Sequence, residues 1–162
     1  MTAKFDALLP LLLQAGVRFI VVGGGAGIAH GASRATYDVD IVYSRDFDNI
    51  QRLATVLQAH HPYLRGAPPG LPFTFDVNTV KSGLNFTLST GLGDLDLLGE
   101  VAGGGTYEEL LPFTEELEVF SVRCRFVTLE KLIDLKRAAG RPKDLEAIAE
   151  LEAILEERQR PG

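Results

Sequence analysis

Hydrophobic positions along the chain fall into two periods, one of helices and one of strands. Lys4 to Ala15, with the run Ala7-Leu8-Leu9-Pro10-Leu11-Leu12-Leu13, predicts an amphipathic helix stopped by Gly16. Val17 to Val22 (VRFIVV) is nearly continuous in apolar residues and predicts a central strand. Gly23, Gly24 and Gly25 predict a tight turn, followed by a short helix over Ala26 to His30 and a second strand over Ala35 to Tyr43. Asp46 is placed to cap a helix to about Ala59, whose apolar residues Ile50, Leu53, Ala54 and Leu57 share one face.

Beyond this point the pattern breaks more often. Pro62 to Pro72 is rich in Pro and Gly and predicts a loop, and Asp76 to Ser82 reads as a short helix or a turn. Leu84 to Ser89 and Asp94 to Val101 predict strands joined at Gly91 and Gly93. Gly103-Gly104-Gly105 predicts a flexible corner, Thr106 with Glu109 a capping box, and Glu118 to Val127 one or two strands. Thr128 caps a helix to about Ala139, Gly140 stops it, and Pro142 starts the last one. The expectation is an α/β (α+β) chain: a mixed, mostly short-stranded sheet with helices packed against it and a C-terminal helical pair. Residues 1–162 read as one domain, with a core over about 15–127 and the helical pair over about 128–158.

Two strands repeat one motif. Tyr37-Asp38-Val39-Asp40-Ile41 and Gly93-Asp94-Leu95-Asp96-Leu97 each alternate carboxylate with aliphatic residue. Successive strand side chains point to opposite faces, so Asp38 and Asp40 share one face, as do Asp94 and Asp96. If the strands are neighbours, up to four carboxylates crowd one patch. Such crowding is costly unless something positive sits among them, and a divalent cation such as Mg²⁺ (or Mn²⁺) held by oxygen ligands suits the role. The bland alternative is two solvated strand faces. Asp96, flanked by Leu on both sides, is the stronger third ligand; a turn accounts well for Asp94.

Composition narrows the function classes. The apolar fraction of 46% and charged fraction of 23% are those of a globular protein. The net charge of −6 argues against a broad nucleic-acid surface. Cys124 is the lone cysteine, which excludes an intrachain disulfide or a cysteine metal cluster and fits a reducing, cytoplasmic setting. The N-terminal apolar run carries Asp6 and lacks a cleavage site, so it reads as a helix rather than a signal peptide. No apolar stretch approaches the roughly 20 residues of a membrane span.

The glycines give the carboxylates a context. Backbone N–H groups where a glycine turn opens a helix can hold phosphate oxygens. A phosphate cradle followed by a carboxylate pair is what metal-assisted phosphoryl chemistry requires. The stretch from Val22 to Val42, with Gly24, Gly25, Ala26, His30, Arg34, Thr36, Asp38 and Asp40, resembles the signature of the polymerase-β-type nucleotidyltransferase superfamily. It is most similar to bacterial minimal nucleotidyltransferases and AbiEii-type toxins. Asp96 matches the third family carboxylate, and Lys136 with Arg141-Pro142-Lys143-Asp144 resembles a later family motif. The likeness spans roughly residues 15 to 150. Many superfamily members carry Ser where Gly25 stands.

The resemblance implies transfer of a nucleoside monophosphate from an NTP to an acceptor hydroxyl of RNA, a protein or a small molecule. Asp38, Asp40 and Asp96 would hold the metal ions, and Asp96 would act on the acceptor's proton. Gly24 and Gly25 amides would hold the β- and γ-phosphates, with Arg34 and Thr36 nearby. Lys136 or Arg141 would meet the triphosphate, and Lys143 an acceptor's phosphates. A toxin-like member would have a cognate antitoxin. A non-catalytic nucleotide- or partner-binding module on the same fold is the alternative.

Other readings are weaker. The glycines begin a dinucleotide-binding fingerprint, but Ile28 occupies its third small position. His30 reads as a packed helix residue before it reads as a catalyst, and His60-His61 as a helix end. Lys131, Lys136, Arg137, Arg141 and Lys143 form the only basic concentration, a solvated helix end or a phosphate-binding group.

Overall fold

In the computed structural model, residues 4–33 and 36–161 are described. Helix α1 (Phe5–Gln14) places Phe5, Leu8, Leu9 and Leu12 in the core, the spacing of one helical face. Strand β1 (Phe19–Val22) is buried throughout. Helix α2 spans Gly23–Ala29, so the three glycines form its first turn rather than a turn before it. Strand β2 (Asp38–Tyr43) and helix α3 (Phe47–Gln58) follow as expected, although the Asp46 side chain makes no cap hydrogen bond. Instead it pairs with Arg18 at 3.1 Å.

The Pro/Gly-rich segment opens with an edge strand, β3 (Tyr63–Leu64). Asp76 to Ser82 resolves to helix α4 (Val77–Ser82), because the Asp76 carboxylate accepts from the Thr79 N–H at 2.8 Å. Next come β4 (Phe86–Thr90), β5 (Gly93–Leu98), and a two-stranded hairpin of β6 (Glu100–Val101) and β7 (Gly105–Thr106). The expected flexible corner is the turn of that hairpin. Thr106 and Glu109 form the capping box of α5 (Tyr107–Leu110). Strand β8 (Thr114–Val119) begins four residues before the expected Glu118 and pairs with β9 (Val122–Val127). Helix α6 (Leu129–Ala139) is capped by Thr128 and ended by Gly140 in the left-handed conformation, and α7 (Pro142–Gln159) closes the chain.

Among the described residues the main sheet has the order β3-β4-β5-β2-β1-β9-β8. Strands β1 and β9 run parallel, as do β2 and β5; the other pairs are antiparallel. The register of β2 on β5 sets Asp38 beside Asp94, Val39 beside Leu95, Asp40 beside Asp96 and Ile41 beside Leu97. The four aliphatic side chains are fully buried. Their burial fixes the register, since a slip of one residue would turn the carboxylates into the core.

Leu95→Ala removes a fully buried side chain from the middle of the sheet and should lower stability by about 2–5 kcal/mol. Leu98→Ala, on the half-buried opposite face, should cost clearly less. The urea midpoints of the two variants check this.

Candidate functional site

The carboxylate face of β2 and β5 forms one wall of a cleft of about 760 Å³. Gly23, Gly24 and Gly27 of α2 contribute a second wall, and Lys136, Arg141 and Lys143 from the α6–α7 corner face the carboxylates. Asp38, Asp40 and Asp96 converge, with one oxygen of each within 4.8 Å of the others. Asp94 stays outside that set.

The cluster carries the electrostatic signature of crowding. Burial first, then the charges of Asp38 and Asp96, push Asp40 up to about 8. Burial, then hydrogen bonding and repulsion from Asp96, also raise Asp38, against the opposing pull of Arg65 and Lys143. Asp40 Oδ1 is buried without a hydrogen-bond partner. An orphaned carboxylate oxygen beside two converging carboxylates is a donor set fitted to a hard divalent cation.

The positive charge among these acids is Arg65, immediately after β3 and inside the Pro/Gly-rich segment expected to be a loop. Its Nη2 donates to Asp96 Oδ1 at 2.7 Å, and its Nη1 lies 3.6 Å from Asp38 Oδ2. Its Nε lies 3.4 Å from Asp94 Oδ2, without the alignment of a hydrogen bond. No local pattern marks Arg65. The available signal was indirect: four acids on one face require a counter-charge from somewhere.

The glycines divide by role. Gly23 has φ +64°, and a Cβ there would stand 2.1 Å from Asp40 Oδ2, so a side chain is excluded on both grounds. Gly24 lies against Thr36, whose hydroxyl donates to the Asp38 carbonyl. Gly25 does not line the cleft. A Cβ at Gly25 would meet the Phe5 ring at 2.4 Å, so packing of α1 on α2 explains why Ser is absent there. Arg34 lies outside the described residues; beside it, the Ser33 hydroxyl donates to Glu150 of α7 at 2.7 Å.

The basic cluster separates in space. Lys136 and Arg141 share the buried Asp144, at 3.5 and 2.6 Å. Burial opposes the charge on Asp144, but hydrogen bonding from Arg141 and the charges of Arg141 and Lys136 hold its carboxyl below the usual range. Asp144 therefore fixes both cations at the cleft wall, a role the sequence did not reveal. Lys131 instead lies 4.2 Å from the centroid of the Phe113 ring, and Arg137 pairs with Glu152 away from the cleft.

His30 is buried and packed. Its Nε2 is 2.8 Å from the Val127 carbonyl, and Arg158 Nη2 donates to its Nδ1 and to its backbone carbonyl. Those contacts fit a neutral ring with the proton on Nε2, tying α2 to β9 and α7.

The fold has counterparts among solved structures. The lincosamide antibiotic adenylyltransferase LnuA, bound to lincomycin, matches with a TM-score of 0.64 at 14% identity, over 95% of this chain and 99% of that one. An antigenic nucleotidyltransferase-like protein from Paracoccidioides brasiliensis matches with a TM-score of 0.55 at 17% identity, over 97% of this chain and 75% of that one. A candidate nucleotidyltransferase from Thermotoga maritima matches with a TM-score of 0.50 at 13% identity, over 92% of each chain. No family model and no curated protein matches the sequence. No helix among the described residues is long and apolar enough to cross a membrane.

The raised Asp40 has a consequence for stability. Its folded-state value lies above its unfolded value of 3.8, so its stabilising contribution is complete below about pH 4 and is lost as pH rises through about 8. Urea unfolding without added metal should show stability falling with pH across that window. Asp40→Asn should flatten the slope. At these identities the matches establish the fold: the chain has the mixed α/β architecture of the nucleotidyltransferases.

Proposed function

We propose that the protein is a Mg²⁺- or Mn²⁺-dependent nucleotidyltransferase that moves a nucleoside monophosphate from an NTP to an acceptor hydroxyl, releasing pyrophosphate. The observation that carries the reading is the convergence of Asp38, Asp40 and Asp96 beside Gly23 and Gly24, opposite Lys136, Arg141 and Lys143. Asp38, Asp40 and Asp96 would hold the metal; bound there, it would neutralise phosphate charge and acidify the acceptor hydroxyl. Asp96 would receive the acceptor's proton. Lys136 and Arg141, oriented by Asp144, would bind the triphosphate, and the first amides of α2 would add donors to it. Thr36 would border the nucleotide, and Lys143 an anionic part of the acceptor.

The acceptor is proposed to be a small molecule. Support comes from the lincomycin-bound adenylyltransferase, which aligns over nearly the full length of both chains. The net charge of −6 is also unfavourable for RNA. An RNA or protein acceptor, membership of the AbiEii-type toxins and a cognate antitoxin rest on the sequence resemblance alone.

Incubation with α-labelled NTP, Mg²⁺ and separated pools of metabolites, RNA and protein tests the reading. Label is expected in the metabolite pool. Asp38→Ala and Asp40→Ala should each fall to background while remaining folded, and Lys136→Ala should lose less, as one phosphate contact among several. NTP binding without any labelled product would favour a non-catalytic nucleotide-binding module, and absence of NTP binding would defeat both readings.

Mass action supplies a second check. A cation that binds the folded state at a hundred times its Kd adds about 2.7 kcal/mol. Mg²⁺ or Mn²⁺ should therefore raise the melting temperature of the wild type. Asp40→Asn should be more stable than wild type without metal and should lose the response. Equal metal-induced shifts in the two proteins would count against the site.

A further inference from the structure

Arg65 lies outside every motif discussed above, yet it is the centre of the acid cluster's contacts. Its backbone N–H donates to the Thr87 carbonyl at 2.9 Å, which fixes the start of the side chain at the end of β3. From there the guanidinium crosses β4, where Nη2 donates to the Leu88 carbonyl at 2.7 Å, and reaches the carboxylates of β5 and β2. It engages Asp96 and Asp38, two of the three converging acids. The third, Asp40, keeps an oxygen with no partner. Asp94 also touches the guanidinium but belongs to no converging set.

We infer that Arg65 is a positioning residue that competes with a divalent cation for Asp38 and Asp96, with Asp94 as the carboxylate that retains it when the cation binds. The inference rests on the reading of Asp38, Asp40 and Asp96 as a cation site. A guanidinium stays charged at any working pH and offers its donors in a fixed plane. Its Nη groups face the same carboxylates that a cation would ligate, and the two positive charges repel. A charge within about 4–6 Å shifts a carboxylate's proton affinity by roughly 1–3 decades. A competing cation meets the same field. When Asp38 and Asp96 turn towards a cation, Arg65 loses one hydrogen-bond acceptor and one ion-pair partner, and Asp94 and the Leu88 carbonyl remain to hold it. This gives the first carboxylate of the second Asp-x-Asp strand a role that cation ligation does not.

The test is Mn²⁺ affinity, read from the paramagnetic resonance signal of free Mn²⁺, without nucleotide. Arg65→Gln should bind Mn²⁺ about tenfold more tightly than wild type or better. It should also be less stable without metal and show a larger Mn²⁺-induced rise in melting temperature. Arg65→Lys, which keeps the charge but cannot span three carboxylates, should fall between the two; it carries the comparison if Arg65→Gln does not fold. Asp94→Asn should weaken Mn²⁺ binding more in the wild-type background than in the R65Q background, because part of its effect acts through Arg65. Unchanged or weaker Mn²⁺ binding by the Arg65 variants, with wild type binding and Asp40→Asn not, would overturn the inference and leave the cation reading standing. Absence of Mn²⁺ binding in wild type and variants alike would overturn both.

Discussion

Parallel pairing of β2 with β5 places four acids side by side on one face of the sheet, and the rest of the cleft answers that arrangement. The pairing is held by Val39, Ile41, Leu95 and Leu97, all fully buried. Each buried aliphatic side chain of this kind contributes roughly 1.5–3 kcal/mol. Apolar burial on one face can therefore hold acids together on the other that would separate if free. The raised proton affinities of Asp38 and Asp40 record the strain. Arg65 from the sheet edge, with Lys136, Arg141 and Lys143 from the helical corner, supplies positive charge from two directions.

The helices are placed to serve that face. Helix α2 starts immediately after β1, so its first turn lies against the carboxylates, and the space between is so small that Gly23 leaves no room for a Cβ beside Asp40. Phe5 packs on Gly25 from the other side and stacks on Phe120 at 4.5 Å. His30 then fixes the far end of α2 through Val127 and Arg158. A motif histidine beside an acidic cleft invites a catalytic role. Here its two ring nitrogens are committed to structural contacts, and its effect on the cleft runs through the position of α2.

Much of this was legible in the chain because the relevant signals are local. The alternation of acids and aliphatics requires only strand geometry, and Thr128, Gly140 and Pro142 mark their helix ends by their own conformational preferences. Strand β3 was hidden in a Pro/Gly-rich segment because two residues carry no periodicity. Glycine is a poor helix former, so three in a row predict a turn; close packing against Asp40, Thr36 and Phe5 overrides that preference. Asp144 appeared in the sequence only as part of a weak motif. Its function as a buried clamp depends on Lys136 arriving from the preceding helix.

Arg65 shows where local reading stops. It is 31 residues from Asp96 and joins it only because β3 and β4 pair at the sheet edge and lay the side chain across towards β5. Electrostatic demand was visible from the sequence, but the identity of its answer was not. A divalent cation and an arginine satisfy the same crowded acids, and nothing in the alternation of Asp with Val, Ile and Leu distinguishes them. The asymmetry inside the cluster does. A guanidinium has its donors in one plane, and here it reaches Asp38, Asp94 and Asp96 while leaving Asp40 Oδ1 bare. A small spherical charge at the convergence of Asp38, Asp40 and Asp96 would have no such constraint of direction. Arginine is thus an incomplete counter-ion for this face, and the incompleteness lies at a buried oxygen, Asp40 Oδ1.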